Sequence, residues 1–129
     1  MFKIGIGIPA YNCESRLLKT LYTIHEQTFQ SFGLFIIDDA STDKTSEVIQ
    51  EGLRLFTEFQ PTYIATHRQN QGIQRTRNEL FNFYWQDGKP ACEFFFYCDA
   101  DLELDKFLFE NLLRMLYHEP EAAYAYCDF

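Results

Sequence analysis

The stretch 33–39 reads GLFIIDD, four consecutive apolar side chains followed by two aspartates. A strand with one wet face alternates apolar and polar residues. An unbroken apolar run of this length reads instead as a strand covered on both faces, the kind found in parallel sheets flanked by helices. Parallel neighbours cannot be joined by a tight turn; each pair needs a crossover of a dozen or more residues. The rest of the chain has the spacing to provide those crossovers.

Residues 3–9 alternate, with Ile4, Ile6 and Ile8 on one parity and Gly5 and Gly7 on the other, which predicts a first strand. Asn12 is the expected N-cap of a helix over 13–27, where Leu17, Leu18, Leu21 and Ile24 recur at helical spacing. After the strand at 33–39, the segment 40–56 carries Ser, Thr and Asp caps and then Val48, Ile49, Leu53 and Phe56, a second helix. TYIAT at 62–66 is a third strand, RQNQG a loop, and 72–85 a third helix with Leu80, Phe81 and Tyr84 apolar, ending before the QDGKP turn. Residues 93–105 read as a fourth buried strand running into an acidic cluster. Asp105 then caps a helix with Leu108, Leu112 and Leu116, and AAYAYCDF at 122–129 closes as a fifth strand. The order predicts a single α/β domain, a Rossmann-like open and mostly parallel sheet with helices on both faces.

Composition narrows the function. The 129 residues carry a net charge of −8, which argues against a nucleic-acid partner. Cys13, Cys92, Cys98 and Cys127 form no C-x-x-C pair, which argues against a zinc site and fits four free thiols in a reducing cytoplasm. No secretory leader and no apolar run of about 20 residues is seen, so a transmembrane segment is not expected. Fourteen Phe and eight Tyr imply a heavily aromatic core or an aromatic surface that expects a partner.

In open α/β sheets ligands sit outside the carboxyl ends of the strands. The first strand delivers Pro9, Ala10, Tyr11 and Asn12 there; the second delivers Asp38 and Asp39; the third leads to Arg68, Asn70 and Gly72; the fourth delivers Asp99 and Asp101. A ring, backbone amides, cations and carboxylates on one edge suit a nucleoside diphosphate held through Mg²⁺ or Mn²⁺. Each feature also has a plainer explanation: strand-end aromatics pack, and strand-end acids cap helices, as Asp43 and Asp105 are expected to do. DADLELD is spaced like a calcium loop, but Leu104 stands where the loop needs Gly. His25, His67 and His118 receive no role, and Cys98 is assigned to the core. Gly5-x-Gly7-x-x-Ala10 matches a dinucleotide fingerprint, but its glycines lie inside the strand rather than in the turn after it. They are expected to leave one sheet face bare for close packing.

IGIPAYN, FIIDDASTDKT, NQGIQRTRN and FYCDADLELD, in that order, resemble the nucleotide-binding half of family 2 glycosyltransferases with the GT-A fold, over nearly all of the chain. The resemblance implies transfer of a sugar from a nucleoside-diphospho-sugar, usually UDP-linked, with Mn²⁺ or Mg²⁺ as cofactor. It implies that Pro9, Ala10 and Tyr11 lie against the base, with Tyr11 stacking on uracil and Asp39 bonding the uracil ring nitrogen. Arg77 would face the base or diphosphate. Thr76 departs from the alanine common before it. Asp101 would be the principal metal ligand, and Asp99 would contact the ribose or sugar or assist at the metal. The acceptor part and the carboxylate general base are expected beyond Phe129, so no catalytic residue is assigned. The acceptor, a sugar or a lipid-linked group, is open, and the parent enzyme could sit peripherally on a membrane. Two competing readings are a non-catalytic binding module that self-associates through the surface left open by truncation, and an NAD-type dinucleotide binder.

Overall fold

The computed structural model describes residues 2–86 and 88–125. Its strands are β1 (Phe2–Ala10), β2 (Phe32–Asp38), β3 (Thr62–Thr66), β4 (Trp85–Gln86), β5 (Lys89–Pro90) and β6 (Cys92–Tyr97); its helices are α1 (Leu17–His25), α2 (Thr45–Leu53), α3 (Ile73–Phe83) and α4 (Leu108–His118). Four strands form the main sheet in the order β3-β2-β1-β6, every pair parallel. The chain winds outward from β1 to β3 and then crosses back to place β6 on the other side of β1. The strand order therefore reverses at β1, the position where such sheets open a crevice.

The two sheet faces follow from residue parity. Ile4, Ile6 and Ile8 join Leu34 and Ile36 in a core with Leu17, Leu21 and Ile24 of α1, Ile49 of α2 and Phe109 and Leu113 of α4. On the opposite face Phe35 and Ile37 pack with Leu80 and Tyr84 around α3. Helices thus cover both faces, as the unbroken apolar run of β2 requires. Gly5 and Gly7 point to the α3 side. A Cβ on Gly5 would lie 2.7 Å from Tyr84 Cδ1, and one on Gly7 would lie 2.8 Å from Phe95 Cζ. Both distances are too short for any side chain, so these glycines admit aromatic rings against the strand; they do not form a phosphate loop. Tyr84, 2% exposed, also hydrogen-bonds through its hydroxyl to the carbonyls of Ile6 (3.0 Å) and Gly33 (3.2 Å).

Several expected boundaries move. The first helix begins at Leu17, not near 13, and Asn12 does not cap it: Asn12 adopts φ 46° and its Oδ1 accepts the Thr42 amide at 2.8 Å. The fourth strand stops at Tyr97 instead of running to 105. Beyond it the backbone is satisfied by side chains of α1 and of the residue pair that follows it: Thr20 Oγ1 donates to the Ala100 carbonyl, Gln27 Nε2 donates to the Asp105 carbonyl, and Thr23 Oγ1 accepts the Leu104 amide. Phe94 to Tyr97 are half-buried because β6 is paired only with β1 among the described strands. The QDGKP turn is flanked by the small antiparallel pair β4–β5, with Asp87 outside the described residues. Residues 122–125 form no strand, and the remainder of the expected fifth strand, including Cys127, lies outside the described residues. Asp43 and Asp105 are not the N-caps, which are Lys44 and Phe107, but they accept amides at the helix entries, from Thr45 (2.9 Å) and Phe107 (2.8 Å).

Candidate functional site

A cleft of about 580 Å³ opens at the carboxyl ends of β1 and β2, under the turn that follows β6. Pro9, Ala10, Tyr11, Asp39 and Asp101 all line it. Asp99 and Arg77 do not. They pair with each other at 3.0 Å, and the Arg77 guanidinium lies over the Tyr97 ring at 5.2 Å. Asp99 to Asp101 lie beyond the end of β6 at Tyr97, so strand alternation does not set the directions of the two carboxylates. Asp99 turns to Arg77 on α3, whereas Asp101 turns to Arg16, 3.4 Å away.

The walls are tied together by short-range polar bonds. The Asn12 amide donates to Ser41 Oγ (3.0 Å), the Cys13 amide to Thr45 Oγ1 (2.9 Å), and the Lys44 amide to Glu14 Oε2 (2.9 Å). The loop after β1 and the loop after β2 are thereby fixed to one another, which holds Tyr11 in place although its side chain is half-exposed.

Asp39 is the most constrained group. It is 4% exposed, and its Oδ1 accepts the Gln71 amide at 2.7 Å and faces His67 Nδ1 at 2.6 Å. Its Oδ2 accepts the Gly72 amide at 2.9 Å. Burial alone would raise the carboxyl pKa, but the bonds from His67, Gln71 and Gly72 outweigh burial and hold it below the usual carboxylate range. Each carboxylate oxygen has about two acceptor sites. Oδ1 is filled, and Oδ2 has one acceptor site left. Thr76, the departure noted in the sequence, is fully buried and donates its hydroxyl to the Gly72 carbonyl at 2.9 Å, bracing the same loop.

Two residues to which sequence patterning assigns nothing belong to this site. His67 bridges Asp39 and Glu79, and Arg16 lines the cleft beside Asp101. The available signal for His67 was its place at the carboxyl end of β3; Arg16 carries none, because a cation before a helix usually faces water. Cys98 is fully buried and burial pushes its thiol up, which keeps it a core residue.

Among the described residues no three His, Cys, Asp or Glu side chains gather to hold a metal. Mg²⁺ and Mn²⁺ do not require such a cage: they are commonly bound by one or two carboxylates together with waters and substrate phosphates. Asp101, half-exposed and in the cleft, fits that requirement. No helix among the described residues is long and apolar enough to cross a membrane.

The sequence profile described as Glycosyl transferase family 2 matches residues 5–127. Glycosyltransferase GlyA of Streptococcus pneumoniae is 31% identical over 80 residues, 62% of this chain and 11% of that protein. An uncharacterized glycosyltransferase of Haemophilus influenzae is 29% identical over 133 residues, 97% of this chain and 48% of that one. The chain thus spans less than half the length of either relative. S. aureus TarS, solved in complex with UDP, superposes with a TM-score of 0.76 at 21% identity, over 92% of this chain and 33% of that chain. The mannosyltransferase PcManGT of Pyrobaculum calidifontis, solved with GDP-Man and Mn²⁺, gives 0.74 at 19% identity, over 89% and 32%. The two superpositions establish a shared fold.

Proposed function

Because the chain belongs to the family 2 glycosyltransferases and has their GT-A fold, we propose that it forms the donor half of an enzyme transferring a sugar from a nucleoside-diphospho-sugar, with UDP the preferred carrier. One observation carries this reading: Tyr11, Asp39 and Asp101, which come from three separate loops, line a single cleft. In this reading Pro9, Ala10 and Tyr11 form the wall against the base, with the Tyr11 ring stacked on it. The free acceptor site of Asp39 Oδ2 takes the ring N–H of uracil. Arg77 and Asp99, paired with each other outside the cleft lining, would turn to the ribose and diphosphate once the donor is bound.

Asp101 would hold Mg²⁺ or Mn²⁺, joined by Asp99 if that side chain leaves Arg77. A bound ion would supply charge neutralisation for the departing nucleoside diphosphate. The chain's own contribution is positioning: a base wall fixed by the laced loops and a sugar held at the strand ends, which lowers the entropic part of the barrier. The general base is proposed to come from sequence beyond Phe129, in keeping with the greater length of the relatives.

Calorimetric titration with UDP and GDP, with and without Mn²⁺, tests the reading. UDP binding that strengthens with metal is expected. A folded sample that binds neither nucleotide would overturn the donor site, and equal affinity with and without metal would overturn the role of Asp101.

A further inference from the structure

Neither ring nitrogen of His67 is free. Nδ1 lies 2.6 Å from Asp39 Oδ1 and Nε2 lies 2.9 Å from Glu79 Oε2. Ionised carboxylates only accept hydrogen bonds, so both contacts are bonds only when both ring nitrogens carry a proton. The geometry therefore describes an imidazolium held between two carboxylates. Its side chain is 12% exposed, so water competes little for either contact. Asp39 at the end of β2 and Glu79 on α3 are the charged groups that face the ring. Asp38, next in sequence to Asp39, turns its own carboxylate to the Ser41 amide and only its carbonyl to the His67 amide.

The bridge connects the three parts that form one wall of the cleft. Asp39 receives the amides of Gln71 and Gly72, and its carbonyl receives Asn70 Nδ2 at 3.3 Å. Gly72 starts α3 at φ 87°, a conformation that has no strong preference of its own and relies on those bonds. Glu79 ties the second turn of the same helix back to His67. We propose that His67 is the positioning residue that keeps Asp39 and the 67–72 loop in place for the donor base, and that donor binding is thereby linked to a proton on His67. The proposal rests on reading the cleft as the donor site.

The direction of the linkage follows from the charges. Loss of one proton leaves a ring lone pair facing a carboxylate, and that contact becomes repulsive. Burial opposes the cation, but the bonds to Asp39 and Glu79 outweigh burial and raise the His67 pKa above its ordinary value. The clamp is therefore complete below about pH 6.5, the ordinary imidazole value, and is lost as pH rises through the higher folded value.

The test is titration of the full chain with UDP and Mg²⁺ from pH 6 to 9, in wild type, His67→Gln and Glu79→Gln. The nucleotide titrates identically in all three, so the differences between them report on the protein. Gln can bond one carboxylate but carries no charge; His67→Gln should bind about tenfold more weakly at low pH, the worth of one charge-assisted bond, and should lose the wild-type decline at high pH. Glu79→Gln neutralises a half-exposed carboxylate without changing its size, and should move the decline to lower pH. Imidazole ¹⁵N spectra of wild type should show both ring nitrogens protonated at pH 6. If His67→Gln and Glu79→Gln both keep the wild-type affinity and pH profile while UDP binds, the inference fails and the donor site stands. A neutral ring at pH 6.5 would also overturn it. If wild type binds no nucleotide at any pH, the donor-site reading falls, and the linkage falls with it.

Discussion

Asp39 and Gly72 stand 33 residues apart, yet the Gly72 amide donates to Asp39 Oδ2 at 2.9 Å while the neighbouring Gln71 amide donates to Oδ1 at 2.7 Å. One buried carboxylate thus takes two consecutive amides at the entry to α3. This satisfies the N-cap donor of Gly72 that a helix start leaves open together with the amide just before it, and it joins β2 to the helix that carries Thr76 and Arg77.

Asp39→Asn should destabilise the chain by about 2–3 kcal/mol at neutral pH, because an amide has one acceptor oxygen and would turn an N–H₂ towards a backbone N–H. Urea unfolding of the two proteins measures the difference. The sign with pH is set by the lowered folded pKa: the contribution of Asp39 is present above the unfolded value of about 3.9 and is lost as pH falls through the folded one. Wild type and variant should therefore converge in acid. A gap that persists at the lowest pH would show that the carboxylate charge is not what the loop depends on.

Tyr11→Ala separates binding from folding. The side chain is half-exposed, so its loss should leave the thermal midpoint nearly unchanged. Removal of a stacked ring should weaken UDP by about 5- to 150-fold, equivalent to 1–3 kcal/mol. Unchanged affinity by calorimetry would remove Tyr11 from the base wall.

The layout of the sheet could be read from the chain because it depends on local pattern. The alternation of Ile4, Ile6 and Ile8 and the continuous run Leu34–Ile37 each fix a strand and the faces it covers, and the cleft follows from parallel topology. The parts that could not be read depend on which distant partner satisfies a polar group. Residues 100–105 look like a strand extension by hydrophobicity, but Thr20 and Thr23 of α1 and Gln27 just after it claim their backbone. Asp99 and Asp101 share a motif but are parted by Arg77 and Arg16, cations that lie far from them in sequence. His67 gains its role only when β2, β3 and α3 meet, and no periodicity records that meeting.

Asp101→Asn should abolish the part of UDP affinity that depends on Mn²⁺ and leave the metal-free part in place. The fold should not notice: the Arg16 partner is 70% exposed and 3.4 Å away, and exposed pairs of this kind contribute little. Titrations with and without metal, run beside a thermal melt, give both readings. Retention of the full metal effect would move the ion away from Asp101.

Ala40→Gly should stabilise the protein. Ala40 adopts φ 62°, a region in which an L-residue with a Cβ is held against its preference by roughly 1 kcal/mol. The position is forced from both sides. Asp39 must turn inward to reach Gln71 and Gly72, while Ser41 must place its amide on Asp38 Oδ1 and its Oγ under the Asn12 amide. Asn12, the other non-glycine residue at positive φ among those described, is of a type that tolerates it; alanine is not. Glycine at 40 relieves the strain but gains freedom in the unfolded chain worth about 0.4–1 kcal/mol, so the net gain should be at most about 0.6 kcal/mol. It should appear as a higher urea midpoint at unchanged slope. Since no bond in the cleft involves the Ala40 side chain, UDP affinity should stay at the wild-type value. A lower midpoint would mean that the methyl group contributes packing that outweighs the strain.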